Sequence, residues 1–127
     1  MDKIKKNEIE KIKETVQYYI DAVTKINLDL VKKAWHDEGR RMFVDNDNQI
    51  VFLHSPTKDD VNKIKASIQQ TLQSCKIEKI DHYGSAAIAR IKWFVKSPKW
   101  ERTETNFLSL LKSEGKWIIV SKIAHSD

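Results

Sequence analysis

The chain has 127 residues, of which 40% are hydrophobic and 32% are charged, so it is expected to fold as one globular domain. Its 23 Lys and Arg against 18 Asp and Glu give a net charge of +5, which favours anionic ligands. No apolar run is long enough to span a bilayer, and the first residues lack a signal-peptide core, so we expect a protein that binds no membrane. The lone Cys75 excludes an internal disulfide. Together these features predict a cytoplasmic protein.

Two helices are predicted in the first third of the chain. Residues 4–26 place apolar side chains at three- and four-residue spacing, which is typical of an amphipathic helix. Those side chains are Ile9, Ile12, Val16, Tyr19 or Ile20, Val23 and Ile26. Asn27 is the expected N-cap of a short second helix. Gly39 is expected to end that helix, because glycine readily adopts the left-handed conformation found at helix C-termini.

The rest of the chain predicts one more helix and six strands. Residues 40–45 and 49–54 read as strands around a turn. Thr57 is expected to cap a third helix, with Asp60 completing a variant of the capping box. The buried stripe of that helix is predicted at Val61, Ile64, Ile68 and Leu72. Four further strands are predicted at residues 76–83, 86–96, 101–112 and 116–125, and their short connections favour antiparallel hairpins. Helices covering one face of such a sheet define an α+β domain.

Three stretches at the joints of these elements carry a resemblance to a known family. They read YYIDAVTKINLDLVKKAWHDEG, TNFLSLLK and GKWIIVSKIAH. Over about residues 8–125 the chain resembles the nuclear transport factor 2-like superfamily, and within it the "putative lumazine-binding" and SnoaL-like branch. The resemblance implies a single domain, residues 1–127, in which three helices pack on a curved, mainly antiparallel mixed β-sheet to form a cone with a pocket. Activities in this superfamily range from isomerases and dehydratases to non-catalytic binding modules, so the fold leaves function open.

Alternation along the strands sorts side chains onto the two faces of the sheet. We assume turns centred at residues 97–98 and on Glu114, and take the face with small alanines as concave. The concave face is then predicted to hold Ala87, Ala89, Ile91, Trp93, Arg102, Glu104, Asn106, Leu108, Leu110, Ile118, Val120, Lys122 and Ala124. The outer face is predicted to expose Phe107, Trp117, Ile119 and Ile123. Monomers rarely expose such an apolar patch, so we expect a two-fold homodimer through this face.

Three polar residues interrupt the apolar concave wall. In the assumed register Asn106 lies opposite Lys122, and Glu104 is a diagonal neighbour. A buried ammonium is costly unless it is paired, so a structural Glu104–Lys122 pair is one interpretation, and the polar end of a ligand pocket is the other. Tyr19 faces inward from the first helix and needs a hydrogen-bond partner, which a ligand could provide. Trp35 is expected to roof the pocket.

The stretch AWHDEG at residues 34–39 places a histidine beside an aspartate. Adjacent residues on a helix point about 100° apart, so His36 and Asp37 are not expected to form a catalytic dyad. We interpret His36 as part of a structural joint at a helix end, where the helix dipole favours a cation, with a pocket group as the alternative. The predicted ligand pocket therefore comprises Tyr19, Trp35, His36, Trp93, Glu104, Asn106 and Lys122.

The resemblance also offers a comparison with ketosteroid isomerases. Tyr19 aligns with the tyrosine that donates to the oxyanion in those enzymes. The position of their general base falls at about Phe43, and that of the tyrosine's acidic partner falls at Asn106 or Phe107. Similar family members often have aspartate at the position of Asn106. Because phenylalanine cannot abstract a proton, isomerase chemistry is not expected unless Asp45 substitutes.

Four functions remain open from the sequence. The first is binding of a small molecule, a flat heterocycle or an aromatic acid, without established catalysis; the resemblance implies pterin-like or flavin-like ligands. The second is a lyase, isomerase or cyclase with His36, Asp45 or Glu104 as acid or base. The third is a homodimeric protein-interaction module.

Nucleic-acid binding by the outer sheet is the fourth function and the least favoured. A cluster of cations and rings suits single strands. Its members are Arg90, Lys92, Trp93, Phe94, Lys96, Lys99, Trp100 and Arg102. Strand alternation divides this cluster between the two faces, which argues against such binding. No metal site is expected, because His54, His82 and His125 share no ligand spacing. Neither a cofactor nor the catalytic residues can be named from the sequence.

Overall fold

A six-stranded sheet carries three helices in the computed structural model, which describes residues 2–67 and 72–127. The helices are α1 (Asp2–Thr24), α2 (Leu28–Ala34) and α3 (Lys58–Ser67). The strands are β1 (Trp35–Val44), β2 (Ile50–His54), β3 (Leu72–Tyr83), β4 (Ala86–Lys96), β5 (Glu101–Ser113) and β6 (Lys116–Ser126). The predicted α+β class, with three helices on a mixed and mainly antiparallel sheet, is confirmed. Within the described ranges, no helix has the length and apolar character to cross a membrane.

The strand order is β2-β1-β6-β5-β4-β3. The predicted hairpins that join β3 through β6 are present and antiparallel, and β1 and β2 form a further antiparallel hairpin. One pairing is parallel: β1 runs beside β6, with Arg40 next to Ser121. This pairing brings the first and last strands together at the centre of the sheet. It therefore places residues from both ends of the chain on the same concave surface.

Helix α1 lies on the concave face and buries the stripe predicted from its periodicity. Ile12 and Val16 are fully buried, and Tyr19 and Ile20 nearly so. Burying an apolar side chain of this size stabilises the fold by roughly 1.5–3 kcal/mol. The exposed face of the helix carries the charges, including the Lys13–Glu10 ion pair at 3.7 Å. The helix is thus held mainly by its apolar stripe.

A group of polar contacts anchors α1 to the hairpin formed by the end of β5 and the start of β6. The carboxylate of Glu8 accepts hydrogen bonds from the Lys112 ammonium and from the Trp117 indole, each at 2.8 Å. The Thr15 hydroxyl donates to the carbonyl of Trp117 at 3.1 Å. The hydrogen bond from Lys112, followed by that from Trp117, holds the pKa of Glu8 below its usual value. The anchor therefore keeps its negative charge at pH values where a free glutamate would begin to protonate.

The predicted capping box of α3 is confirmed. The Thr57 hydroxyl accepts the N–H of Asp60 at 3.2 Å, and the Asp60 carboxylate accepts the N–H of Thr57 at 2.8 Å. Asn27 stands at the N-cap position of α2, as predicted, although its side chain makes no capping hydrogen bond. The predicted buried stripe of α3, at Val61, Ile64, Ile68 and Leu72, lies outside the residues whose side chains the structure describes.

The predicted role of Gly39 is wrong. Helix α2 ends at Ala34, and Gly39 lies inside β1, where the pairing with β6 is interrupted between Trp35 and Arg40. A Cβ atom at Gly39 would lie 3.0 Å from Cε3 of Trp35 and 3.2 Å from the carbonyl oxygen of Val120. Glycine is needed here because the irregular strand passes tightly against the Trp35 ring, and not to end a helix.

The predicted faces are confirmed for β4 and β5 but wrong for the first half of β6. Leu110 pairs with Ile119, whereas Ser109 pairs with Ser121, so Val120 is an extra residue in a β-bulge. The β5–β6 turn has two residues and is not centred on Glu114 as assumed, since Ser113 pairs with Lys116. Trp117 and Ile119 are therefore buried, at 4% and 0% exposure, on the face predicted to be outside. Beyond the bulge the alternation returns to the predicted phase. Trp117 and Ile119 are therefore core residues and do not belong to an exposed patch.

Candidate functional site

A cavity of about 630 Å³ opens between α1, the start of α3 and the concave face of the sheet. Such a volume is within the range of small-molecule sites. Its aromatic lining consists of Tyr19, Trp93 and Trp100. Its charged lining consists of Arg41, Asp60, Lys99, Arg102, Glu104 and Lys122. Four of the predicted pocket residues, Tyr19, Trp93, Glu104 and Lys122, thus meet around one space.

Tyr19 and Trp93 form a rigid aromatic corner, and Trp35 packs behind it. The ring of Tyr19 meets Trp93 edge to face, with centroids 6.0 Å apart, and meets Trp35 in the same manner at 5.6 Å. Edge-to-face contacts of this kind add about 0.5–1.5 kcal/mol each beyond the burial of the rings. Trp35 is buried behind Tyr19 and lines a neighbouring cavity with His54 and Ser55. It supports the corner from behind and does not roof the main cavity.

A chain of hydrogen bonds fixes the polar edge of this corner. The Trp93 indole donates to the side-chain oxygen of Asn106 at 2.9 Å. The Asn106 amide in turn donates to Glu104 at 2.8 Å, and the other Glu104 oxygen accepts from the Ser126 hydroxyl at 3.2 Å. Asn106 is fully buried, so it lies behind the cavity wall and not in it. Its function in this geometry is to hold the planes of Trp93 and Glu104 in place.

The predicted Glu104–Lys122 pair is not formed. The two-residue β5–β6 turn and the bulge at Val120 together shift the pairing by two residues, so Lys122 lies opposite Leu108 and Glu104 lies opposite Ser126. The Lys122 ammonium instead donates a hydrogen bond to the Tyr19 hydroxyl, with the two atoms 3.2 Å apart. The predicted position of Asn106 opposite Lys122 is also wrong, since Asn106 pairs with Ala124. Lys122 thus projects toward the aromatic corner, and within the described part of the chain it forms no ion pair with Glu104.

Arg41 and Asp60 are two charged cavity residues that the sequence did not reveal. The guanidinium of Arg41 pairs with the Asp60 carboxylate at 3.2 Å and also donates to the carbonyl of His54 at 2.9 Å. Burial raises the pKa of Asp60, but hydrogen bonds from Thr57 and the charges of Arg41 and His54 outweigh it and hold the pKa below its usual value. The Asp60 carboxylate is therefore negatively charged at neutral pH and neutralises the charge of Arg41.

The rim of the cavity carries further cations. The Arg102 guanidinium lies 5.3 Å from the ring centroid of Trp100, a cation–π arrangement. Lys99 is an exposed neighbour in the loop between β4 and β5. Trp100 is 47% exposed, which leaves a large part of its ring open to solvent or to a bound molecule. From the sequence, Lys99, Trp100 and Arg102 were assigned to the cluster considered for nucleic-acid binding and not to the pocket.

Two candidate acid–base residues lie away from the cavity. His36 is exposed on β1, and its Nδ1 atom accepts the N–H of Glu38 at 3.0 Å. The Asp45 carboxylate accepts the N–H groups of Asp47 and Gln49 and so holds the β1–β2 turn. Of the three groups considered for proton transfer, the structure brings only Glu104 to the cavity.

Other reactive side chains add no chemistry to the site. Burial, with a smaller contribution from Glu104, raises the pKa of the Cys75 thiol to about 12, so the thiolate form is scarce at neutral pH. Across residues 2–67 and 72–127, no three His, Cys, Asp or Glu side chains gather into a group that could hold a metal ion.

Comparison with known proteins gives a family and a fold. Residues 7–125 match the family model described as "Putative lumazine-binding". A nuclear transport factor 2-like protein of unknown function from Shewanella baltica OS155 is 28% identical, over 95% of this chain and 94% of its own, with a TM-score of 0.74. No curated protein matches the chain by sequence.

Two further solved structures support the fold. A nuclear transport factor 2-like protein from Methylobacillus flagellatus KT is 24% identical over 95% of this chain and 93% of its own, with a TM-score of 0.72. Another from Silicibacter pomeroyi DSS-3 is 16% identical over 97% of this chain and 98% of its own, with a TM-score of 0.73. At these identities the likeness concerns the fold alone.

Proposed function

Because the chain belongs to the "Putative lumazine-binding" family, which adopts the nuclear transport factor 2-like fold, we propose that it binds a flat aromatic small molecule in its main cavity. The ligand is a heterocycle or an aromatic acid. The observation that carries this proposal is the corner formed by Tyr19 and Trp93, whose rings are fixed by edge-to-face contacts and by the hydrogen bond to Asn106. Preorganised aromatic walls bind a flat molecule with little loss of side-chain entropy.

Binding without catalysis fits the polar groups of the cavity better than a lyase, isomerase or cyclase does. The two oxygens of the Glu104 carboxylate already accept hydrogen bonds from Asn106 and Ser126, so a substrate would have to compete with these donors for the carboxylate. His36 and Asp45 hold backbone elements elsewhere.

We expect lumazine, riboflavin or 2-naphthoate to bind in this cavity, with binding followed by quenching of tryptophan fluorescence and by calorimetry. The variant Val23→Phe narrows the cavity from the α1 side, since Val23 lines it. It is expected to weaken binding at least about tenfold, a change of about 1.4 kcal/mol.

A matched control variant introduces the same phenylalanine ring outside the cavity. Leu111→Phe changes an exposed position of β5 outside this cavity and is expected to leave binding unchanged. Equal losses in both variants would show that the ligand does not occupy this cavity. No binding of any of the three compounds to the wild-type protein would reject the proposal.

We further propose that the outer face of the sheet forms a homodimer. A row of apolar side chains crosses four strands on this face: Phe107 pairs with Ile123, Ile123 with Met42, and Met42 with Phe52. Phe107, Ile123 and Phe52 are 45%, 53% and 62% exposed. A continuous apolar row of this kind is the usual centre of a two-fold interface. The row replaces the predicted patch, of which only Phe107 and Ile123 remain exposed.

Sedimentation analysis is expected to show a dimer of the wild-type chain. The variant Ile123→Glu places a carboxylate in the middle of the apolar row and is expected to shift the protein to monomer, because a buried unpaired charge is costly. Lys116→Glu introduces the same carboxylate at the exposed first residue of β6, away from the row, and is expected to remain dimeric. A wild-type protein that sediments as a monomer at about 100 µM, a concentration ample for a micromolar interface, would overturn this proposal.

A further inference from the structure

Two cations lie side by side on the concave face of the sheet. Arg41 on β1 is the direct neighbour of Lys122 on β6, and both line the cavity. Like charges on directly opposite residues of neighbouring strands repel each other and destabilise the sheet. Anions placed beside the two cations reduce this repulsion. The charge of Arg41 is compensated by Asp60, so the charge of Lys122 remains to be accounted for.

Both carboxylates of the cavity are already engaged with other groups. Asp60 pairs with Arg41 and accepts hydrogen bonds from Thr57. Glu104 accepts hydrogen bonds from Asn106 and Ser126 through its two oxygens. None of the ion pairs among the described residues includes Lys122, and its ammonium donates a hydrogen bond to the Tyr19 hydroxyl. A half-buried cation therefore faces the cavity with an uncharged partner.

Two donors converge at this point. An ammonium that donates to the Tyr19 oxygen leaves the phenol proton free to point elsewhere, so Lys122 and Tyr19 can both donate to one anion. The point lies at the edge of the aromatic corner, where the ring of a flat molecule would rest beside Trp93. Lys99 and Arg102 at the rim make the approach to the cavity positive as well.

We propose that the ligand is an aromatic carboxylate whose anionic group binds between the Lys122 ammonium and the Tyr19 hydroxyl. This inference rests on the proposed function and specifies its ligand class: the acid and not the neutral heterocycle. The carboxylate supplies the charge that Asp60 supplies to Arg41, and its ring packs on Trp93. One lysine and one hydroxyl provide two donors, which match the two oxygens of a carboxylate. A phosphate group, with more oxygens and more charge, is usually met by a larger set of donors such as an Arg fork or a helix N-terminus.

The test compares a matched pair of probes, 2-naphthoate and the uncharged 2-naphthamide, by calorimetry on the intact chain. The wild-type protein is expected to bind the naphthoate at least about tenfold more tightly, since charge-assisted hydrogen bonds are roughly twice as strong as neutral ones. Lys122→Gln is expected to abolish this preference, and Lys122→Arg to retain most of it. Tyr19→Phe, which removes only the hydroxyl, is expected to reduce the preference by several-fold.

A charge-matched control separates the local effect from the net charge of the protein. Lys76→Gln removes one positive charge from an exposed position of β3 outside the cavity and is expected to keep the preference for naphthoate. A Lys76→Gln variant that loses the preference as fully as Lys122→Gln would overturn the inference. If Lys122→Gln fails to fold, as judged by its thermal melt, Tyr19→Phe carries the same comparison.

The outcomes also distinguish the inference from the function on which it rests. Equal affinity of the wild-type protein for naphthoate and naphthamide would overturn the anion site while leaving the aromatic cavity in place. Binding of lumazine or riboflavin without binding of naphthoate would do the same. Failure of all four compounds to bind would reject both the inference and the proposed function.

Discussion

Replacing Ile119 with alanine is expected to lower the free energy of unfolding by about 3–4 kcal/mol, within the range of large-to-small substitutions in packed cores. Ile119 is fully buried among the residues that α1 covers. Removing three carbons from such a site costs the transfer of the lost groups and also leaves a cavity that the sheet cannot close. Urea denaturation with an unchanged slope would measure the loss directly.

The neighbouring isoleucine provides a matched control. Ile118 is half-buried and pairs with the exposed Leu111 on the outer side of the sheet. Ile118→Ala is expected to cost less than about 1.5 kcal/mol, in line with partial burial. The comparison tests the bulge at Val120, because the uninterrupted alternation predicted from the sequence would exchange the two effects. A larger loss at Ile118 than at Ile119 would show that the register of β6 is wrong.

Replacing Asn106 with leucine is expected to destabilise the protein by about 3 kcal/mol, although the two side chains are similar in size. The substitution leaves the Trp93 indole and one oxygen of Glu104 without their hydrogen-bond partners. A buried polar group left without a partner, as the Trp93 indole would be, costs about 1–3 kcal/mol, and the partly exposed Glu104 adds a smaller loss. The loss is again measured as the free energy of unfolding in urea. Ligand binding is expected to weaken as well, because Trp93 is no longer held in one orientation.

A double-mutant cycle identifies the origin of this loss. In a Trp93→Phe background the indole N–H is absent, so Asn106→Leu is expected to cost about 1–2 kcal/mol less than in the wild-type protein. Thr105→Val changes the adjacent, outward-facing side chain and is expected to have a small effect. An unchanged cost of Asn106→Leu in the Trp93→Phe background would mean that the hydrogen bond between these two residues does not stabilise the fold.

Local chemistry made most of the fold predictable. Some structural determinants act within a few residues of the chain and can therefore be recognised in the sequence. They are the apolar spacing of α1, the Thr57 cap and the turn residues between β3, β4, β5 and β6. Alternation of small and large apolar residues likewise assigned the faces of β4 and β5, because no bulge interrupts their pairing.

The bulge in β6 could not be read in the same way. The run WIIV at residues 117–120 is apolar at every position, so it carries no alternation from which a change of phase could be detected. The phase is decided by packing: Trp117 and Ile119 fill the space beneath α1, and Glu8 and Thr15 hold Trp117 there. Such tertiary contacts override local patterns.

The residues of the candidate site likewise fall into those that local patterns predicted and those that depend on tertiary contacts. Tyr19, Trp93, Glu104 and Lys122 were predicted because each stands on an element whose inward face the sequence reveals. Arg41 was missed because it reaches the cavity only through the parallel pairing of β1 with β6, which no hairpin signal predicts. Trp100 was assigned to a hypothetical nucleic-acid surface, since the position of a loop relative to a cavity depends on the curvature of the whole sheet.

The parallel pairing of β1 with β6 has a consequence for how this chain acquires its structure during synthesis. Arg40 finds its neighbour Ser121 only after nearly all of the intervening sequence has left the ribosome. Closing so long a loop is slow compared with forming the hairpins of β3 to β6, which need only local contacts. The edge of β1 that pairs with β6, and the part of the α1 stripe that packs on Trp117 and Ile119, therefore stay uncovered until β6 emerges. Protection from aggregation is needed most in that interval.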